Sequence, residues 1–110
     1  LTYIIHILFM AQNQSCVKQR QRIDIKEPSK YYVIIHNDDV TTMDFVVMIL
    51  REVFLYDNDS AVELMLQVHN SGKAIAGSYT YDIAHSKVKV ATELARANNF
   101  PLLLTVEPVK

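Results

Sequence analysis

A small α+β domain of order β-α-α-β-α-β is predicted by three features of the 110-residue chain. Runs rich in β-branched, aromatic or aliphatic residues and of strand length stand near both ends of the region 31–107. Between them, three segments repeat apolar residues every three to four positions, the period of a helix buried on one side. Gly, Asn, Asp, Thr or Pro stands at each junction. The simplest packing is a three-stranded antiparallel sheet with three helices on one face.

Tyr31 to His36 (YYVIIH) opens the domain as a strand and ends at Asn37-Asp38-Asp39, residues that favour turns. Thr41-Thr42-Met43-Asp44 has the form of a capping box, with Thr41 expected to accept from the third helical N–H. Val46, Ile49, Leu50 and Val53 follow at i, i+3, i+4 and i+7, a helix of about three turns. A break at Leu55 to Asn58 leads to a second helix, capped by Asp57 or Asp59, with Ala61, Leu64, Met65 and Val68 as its stripe. Gly72 is its expected left-handed stop. Lys73 to Tyr79 reads as the second strand. Thr80 then caps a third helix with Ala84, Val88, Ala91 and Ala95 inward, ending near Asn98-Asn99. Leu102 to Glu107 is the last strand.

Half the residues are apolar and 21% are charged, which fits a globular chain with one core. The net charge of −1 argues against a nucleic-acid partner. Two glycines are too few for a P-loop or a dinucleotide fingerprint, and the single Cys16 excludes an intramolecular disulfide. Residues 1–30 carry five Lys/Arg against Asp24 and Glu27, a net of +3, so residues 31–110 carry −4. The polar, aperiodic run from Gln12 to Lys30 reads as a flexible tail. Leu1 to Met10 is strongly apolar but far below the roughly 20 residues of a bilayer span, so no membrane role is expected. It also lacks the basic start and small-residue cleavage site of a signal peptide. Residues 1–9 precede Met10 and read as an alternative start, an upstream translation or a processed precursor, which the sequence leaves open.

Two groups of residues carry chemistry. Asn37, Asp38 and Asp39 put acceptors at the mouth of a strand; in an extended segment Asn37 and Asp39 share a side and Asp38 faces the other. Met65 and His69, spaced i, i+4, share one face of the second helix, with His69 at the boundary of core and water. Each has an ordinary structural reading: a capped turn, a histidine at helix-terminal carbonyls, and methionines 43, 48 and 65 as core filler. A small metal-dependent hydrolase using His36, Asp38, Asp39 and His69 is the catalytic alternative, although no HExxH or cysteine cluster occurs. A structural or ribosome-associated module is a third reading.

Taken in order, V-I-I-H-N-D-D-V-T-T-M-D-F-V over residues 33–46, L-M-L-Q-V-H over 64–69, G-K-A-I from Gly72 and P-L-L from Pro101 resemble ClpS. That family comprises adaptors that deliver N-end-rule substrates to the ClpA unfoldase of the ClpAP protease. The resemblance covers residues 31–108 and implies a cytoplasmic, monomeric adaptor domain over 31–110, without cofactor or catalysis of its own. It implies that Asn37, Asp38, Asp39 and His69 hold the free α-amino group of a protein beginning with Leu, Phe, Tyr or Trp, although the alternation above turns Asp38 toward neighbouring backbone or the loop. It further implies an apolar cavity lined by Thr41, Met43, Val46, Met65, Val68 and Leu102 for the first side chain. Met43 at the mouth would reject side chains branched at Cβ. By the same motif, Asp82 and Lys87 would contact the unfoldase's N-terminal domain, and the tail would assist hand-over. The chain departs from the family's habit at Val40, often aromatic, at Thr42, often Pro, and at Asp44 and Asp82, commonly Glu.

Overall fold

The computed structural model describes residues 29–110. The expected basic tail and the apolar decamer before it lie outside the described residues, except that Lys30 already belongs to the first strand. The elements are β1 (Lys30–His36), α1 (Met43–Glu52), α2 (Asn58–Ser71), β2 (Lys73–Thr80), α3 (Tyr81–Ala97) and β3 (Leu103–Pro108), in the expected order.

β1 is the central strand of an antiparallel sheet of order β2-β1-β3. Its sequence suits that place, because Val33 and Ile35 are wholly buried in the core and Ile34, on the other face, is shielded between its two neighbouring strands. The edge strands alternate in exposure. Ala74, Ala76 and Leu104 are buried, while Ile75 and Leu103 are exposed. A bulge opposite Val33 and Ile34 shifts the register so that Val33 pairs with Gly77 and Ile34 with Ile75. α3 packs across all three strands, and its inward residues Ala84, Ala91 and Ala95 are wholly buried. Small side chains let that helix lie close to the sheet. α2 packs on α1 and on β2, and the stripes of all three helices join Val33, Ile35 and Leu104 in one core.

The helix ends show where local chemistry departs from expectation. Thr42, not Thr41, is the N-cap of α1, its Oγ1 accepting from Phe45 N at 3.2 Å. Thr41 is occupied by Asp38, as described below. Asp57 and Thr80 stand at the N-caps of α2 and α3 without making a side-chain cap bond. Gly72 ends α2 in the left-handed region at φ 91°, its N–H donating to Val68 O. After α3, Asn99 takes φ 63°, and Arg96 Nη1 donates to Phe100 O at 2.9 Å and Leu102 O at 3.0 Å. That guanidinium ties down the turn leading into β3. Among the described residues no helix is long and apolar enough to cross a membrane.

Candidate functional site

β1 and β2 pair to their shared end, where His36 faces Lys73. One residue beyond, Asn37 N donates to Gly72 O at 2.8 Å. This bond joins the acidic turn to the end of α2, where His69 lies one turn before Gly72. Asn37 and His69 thereby line one cavity of about 390 Å³, although 32 residues separate them in sequence.

The cavity has a polar rim and an apolar floor. Asn37, Asp39 and His69 are exposed at the rim, whereas Val46, Met65 and Val68 are buried. Met43 lines the cavity while remaining 44% exposed, as befits a side chain at the mouth. Thr41 also lines it, together with Thr42 and Val40, which the sequence reading did not include. Those two follow from the loop's path rather than from any periodicity.

Asp38 lines the cavity, but its carboxylate is turned back on its own loop. Oδ1 accepts from Val40 N at 2.8 Å and Thr41 N at 2.6 Å, and Oδ2 accepts from Thr41 Oγ1 at 2.8 Å. Partial burial alone would raise its pKa. The donors from Thr41 and Val40, with the charge of Arg96, outweigh it and hold the carboxyl below its usual value. Asn37 and Asp39 are exposed while Asp38 is half-buried and turned into the loop, and the chain bends from Asp39 to Thr41. Asp38 organises the loop that presents Asp39 and Thr41.

Leu102, expected as a lining residue, is not among those that line the cavity. It is 1% exposed and belongs to the same buried cluster as Val46, Met65 and Val68. His36 is absent from the lining as well. Its Nε2 lies 2.9 Å from Thr105 Oγ1 across the β1–β3 pair. The four side chains of the hydrolase alternative are thus not assembled, and among the described residues no three His, Cys, Asp or Glu side chains converge as metal ligands.

Asp82 and Lys87 line a second groove, about 470 Å³, between the end of α1 and the first half of α3. Glu52 and Val53 form its α1 side, and the exposed Ile83 and Val90 add apolar surface on α3. Outward apolar residues at i and i+7 on a helix whose inward stripe is alanine were the available sign of this surface. Lys87 is partly committed within the fold. Nζ donates to Val53 O at 2.7 Å and lies 5.8 Å from the Phe54 ring centroid and 5.3 Å from that of Tyr79. Burial lowers its pKa.

The fold is that of a protease adaptor domain. It is similar to the solved structure of Agrobacterium tumefaciens ClpS2 bound to L-phenylalaninamide, with a TM-score of 0.73 and 37% identity, covering 76% of this chain and 100% of that one. The family model "ATP-dependent Clp protease adaptor protein ClpS" matches residues 26–105. The ATP-dependent Clp protease adapter protein ClpS of Acetivibrio thermocellus is 46% identical over 95 residues, 86% of this chain and 96% of that protein. That of Myxococcus xanthus is 43% identical over 95 residues, 86% of this chain and 85% of that protein. The chain belongs to the ClpS family.

Proposed function

We propose that this adaptor binds the free N-terminal residue of proteins beginning with Leu, Phe, Tyr or Trp and delivers them to a ClpA-type unfoldase. The observation that carries this reading is the placement of Asn37, Asp39 and His69 on the rim of a cavity floored by Val46, Met65 and Val68. An α-amino group is cationic below a pKa of about 8, and a carboxylate beside neutral acceptors is its natural partner. Each charge-assisted hydrogen bond contributes at most about 1.5–3 kcal/mol, and burying a Leu or Phe side chain about as much. After the cost of association these support micromolar binding or somewhat better. The ligand of the Agrobacterium relative, L-phenylalaninamide, combines the same two groups, a free α-amine and an apolar side chain.

Met43 at the mouth narrows the entrance, so Leu passes and the Cβ-branched Val and Ile are rejected. The groove bearing Asp82 and Lys87 is the proposed contact for the unfoldase's N-terminal domain. Its exposed Ile83 and Val90 offer apolar area between charged groups of both signs.

Fluorescence anisotropy with labelled peptides that begin Leu, Phe, Val and acetyl-Leu tests the cavity. The Leu and Phe peptides should bind, with the Val and acetyl-Leu peptides at least about tenfold weaker, the loss of one charge-assisted contact or of the side chain's fit. Equal binding of all four, or of none, rejects the proposal.

A further inference from the structure

The face of the sheet turned away from the helices carries an apolar patch. Val33, Ile35, Ala74, Ala76 and Leu104 belong to the core, so their strand neighbours Tyr32, Ile34, Ile75 and Leu103 point the other way. Register sets Ile75 beside Ile34, and Leu103 beside His36 two residues further along β1. Among the described residues nothing covers this patch: Ile75 is 46% and Leu103 51% exposed, with Ile34 as the floor between the edge strands. We propose that residues 1–10 of the same chain dock on this outer face and cover Ile34, Ile75 and Leu103.

Three observations carry it. The first is composition. Leu1 to Met10 (LTYIIHILFM) holds eight apolar residues and no Lys, Arg, Asp or Glu, so it brings no charge to be stripped of water. The next nineteen residues, 11–29, are mostly polar and hold Lys18, Arg20, Arg22, Asp24, Lys26 and Glu27, so the apolar contact falls to the first ten. The second is reach. The chain enters the described domain at the start of β1, the central strand of this same sheet. β1 has seven residues and is about 23 Å long, whereas nineteen residues span up to about 60 Å, so the first ten can lie anywhere along the face. The tether also holds them at an effective concentration on the order of millimolar, so modest apolar contact suffices. The third is the frame of the patch. Lys73 and His36 bound it at one end, and Ser78 and Glu107, the strand partners of Tyr32, bound it at the other with Lys30 beyond them. An exposed apolar patch rimmed by polar and charged groups marks a surface that meets another segment. An uncharged segment fits its centre and leaves the charges of both signs at the rim in water.

The test compares the 110-residue chain with one lacking residues 1–10, by NMR relaxation of side-chain methyls in the presence of a soluble paramagnetic agent. The agent's effect on the methyls of Ile75 and Leu103 should be at least about threefold smaller in the 110-residue chain, because a segment docked most of the time hides them in proportion to its population. Its effect on Ile83 and Val90, exposed on α3, should be alike in both chains. Ile5→Asp with Leu8→Asp puts two charges into the segment without altering the core, and should expose Ile75 and Leu103 as the deletion does. Equal effects on Ile75 and Leu103 in the two chains, or equal protection of Ile83 and Val90, overturn the proposal. Protection that is lost on dilution, with sedimentation showing a dimer at the higher concentration, assigns the face to a second copy and overturns it as well. The methyls observed lie outside the cavity lining, so the outcome does not depend on what the cavity binds.

Discussion

Asp38 receives two backbone N–H groups and one hydroxyl from Val40 and Thr41, and so decides the shape of the loop between β1 and α1. Removing that acceptor in Asp38→Ala should cost about 1 kcal/mol, the usual loss when a short polar side chain stops satisfying neighbouring N–H groups. Urea unfolding at pH 7 measures it. The sign of the pH effect follows from the direction of the shift. A carboxyl held below its unfolded value stabilises the fold fully above about pH 4, and loses that contribution as pH falls through its folded value. Asp38→Asn keeps an acceptor for the backbone donors but has no proton to take up. Its stability should therefore fall less steeply than the wild type's between pH 5 and pH 2, and parallel curves for the two proteins would contradict the role assigned to the carboxylate. Thr41 and Thr42 are equivalent as capping residues by sequence. Only the three-residue reach from Asp38 to Thr41 leaves Thr42 to cap the helix.

At the scale of elements, the junction of α2 and β2 is what assembles the cavity. Gly72 must take φ 91° for the chain to turn, and its carbonyl receives Asn37 N. A Cβ at Gly72 would meet nothing within 4 Å, so the effect of Gly72→Ala is purely conformational. It should destabilise by about 1–2 kcal/mol, and Gly72→Asn by less, because Asn tolerates the left-handed region. Denaturant midpoints of the two variants check the order. This stop was legible in the sequence, as were all six elements, because each helix buries one stripe and β1 is a continuous aromatic and β-branched run bounded by turn residues. Leu102 shows the opposite case. A Pro-Leu-Leu-Leu run does not reveal which leucine begins the alternation, and the turn held by Arg96 makes Leu102 a core residue rather than a cavity wall. The shallow groove lined by Val40, Arg96, Asn99, Phe100 and Pro101 was not legible at all, since it needs the loop after β1, the last turn of α3 and the segment before β3 to meet in space.

On the scale of the whole molecule, α1 separates the two surfaces the proposed function requires. Met43 and Val46, in its first turns, line the cavity, while Glu52 at its last residue lines the groove with Asp82 and Lys87. Ten residues of helix span about 15 Å, enough to keep a peptide's first residue clear of a domain seated on the groove. Lys87 locks this arrangement by donating to Val53 O, just beyond the end of α1, from the middle of α3. Under the proposed function the adaptor holds its substrate and its unfoldase at once, and this layout predicts that the two bindings are independent. The affinity of a labelled Leu peptide should then change by less than about twofold when the unfoldase's N-terminal domain is added to saturation, because the two surfaces have no lining residue in common. Asp82→Lys should weaken the domain's binding and leave the peptide's unchanged, since Asp82 is exposed and remote from the cavity lining. Displacement of the peptide by the domain would place both ligands on one surface and defeat the two-site arrangement.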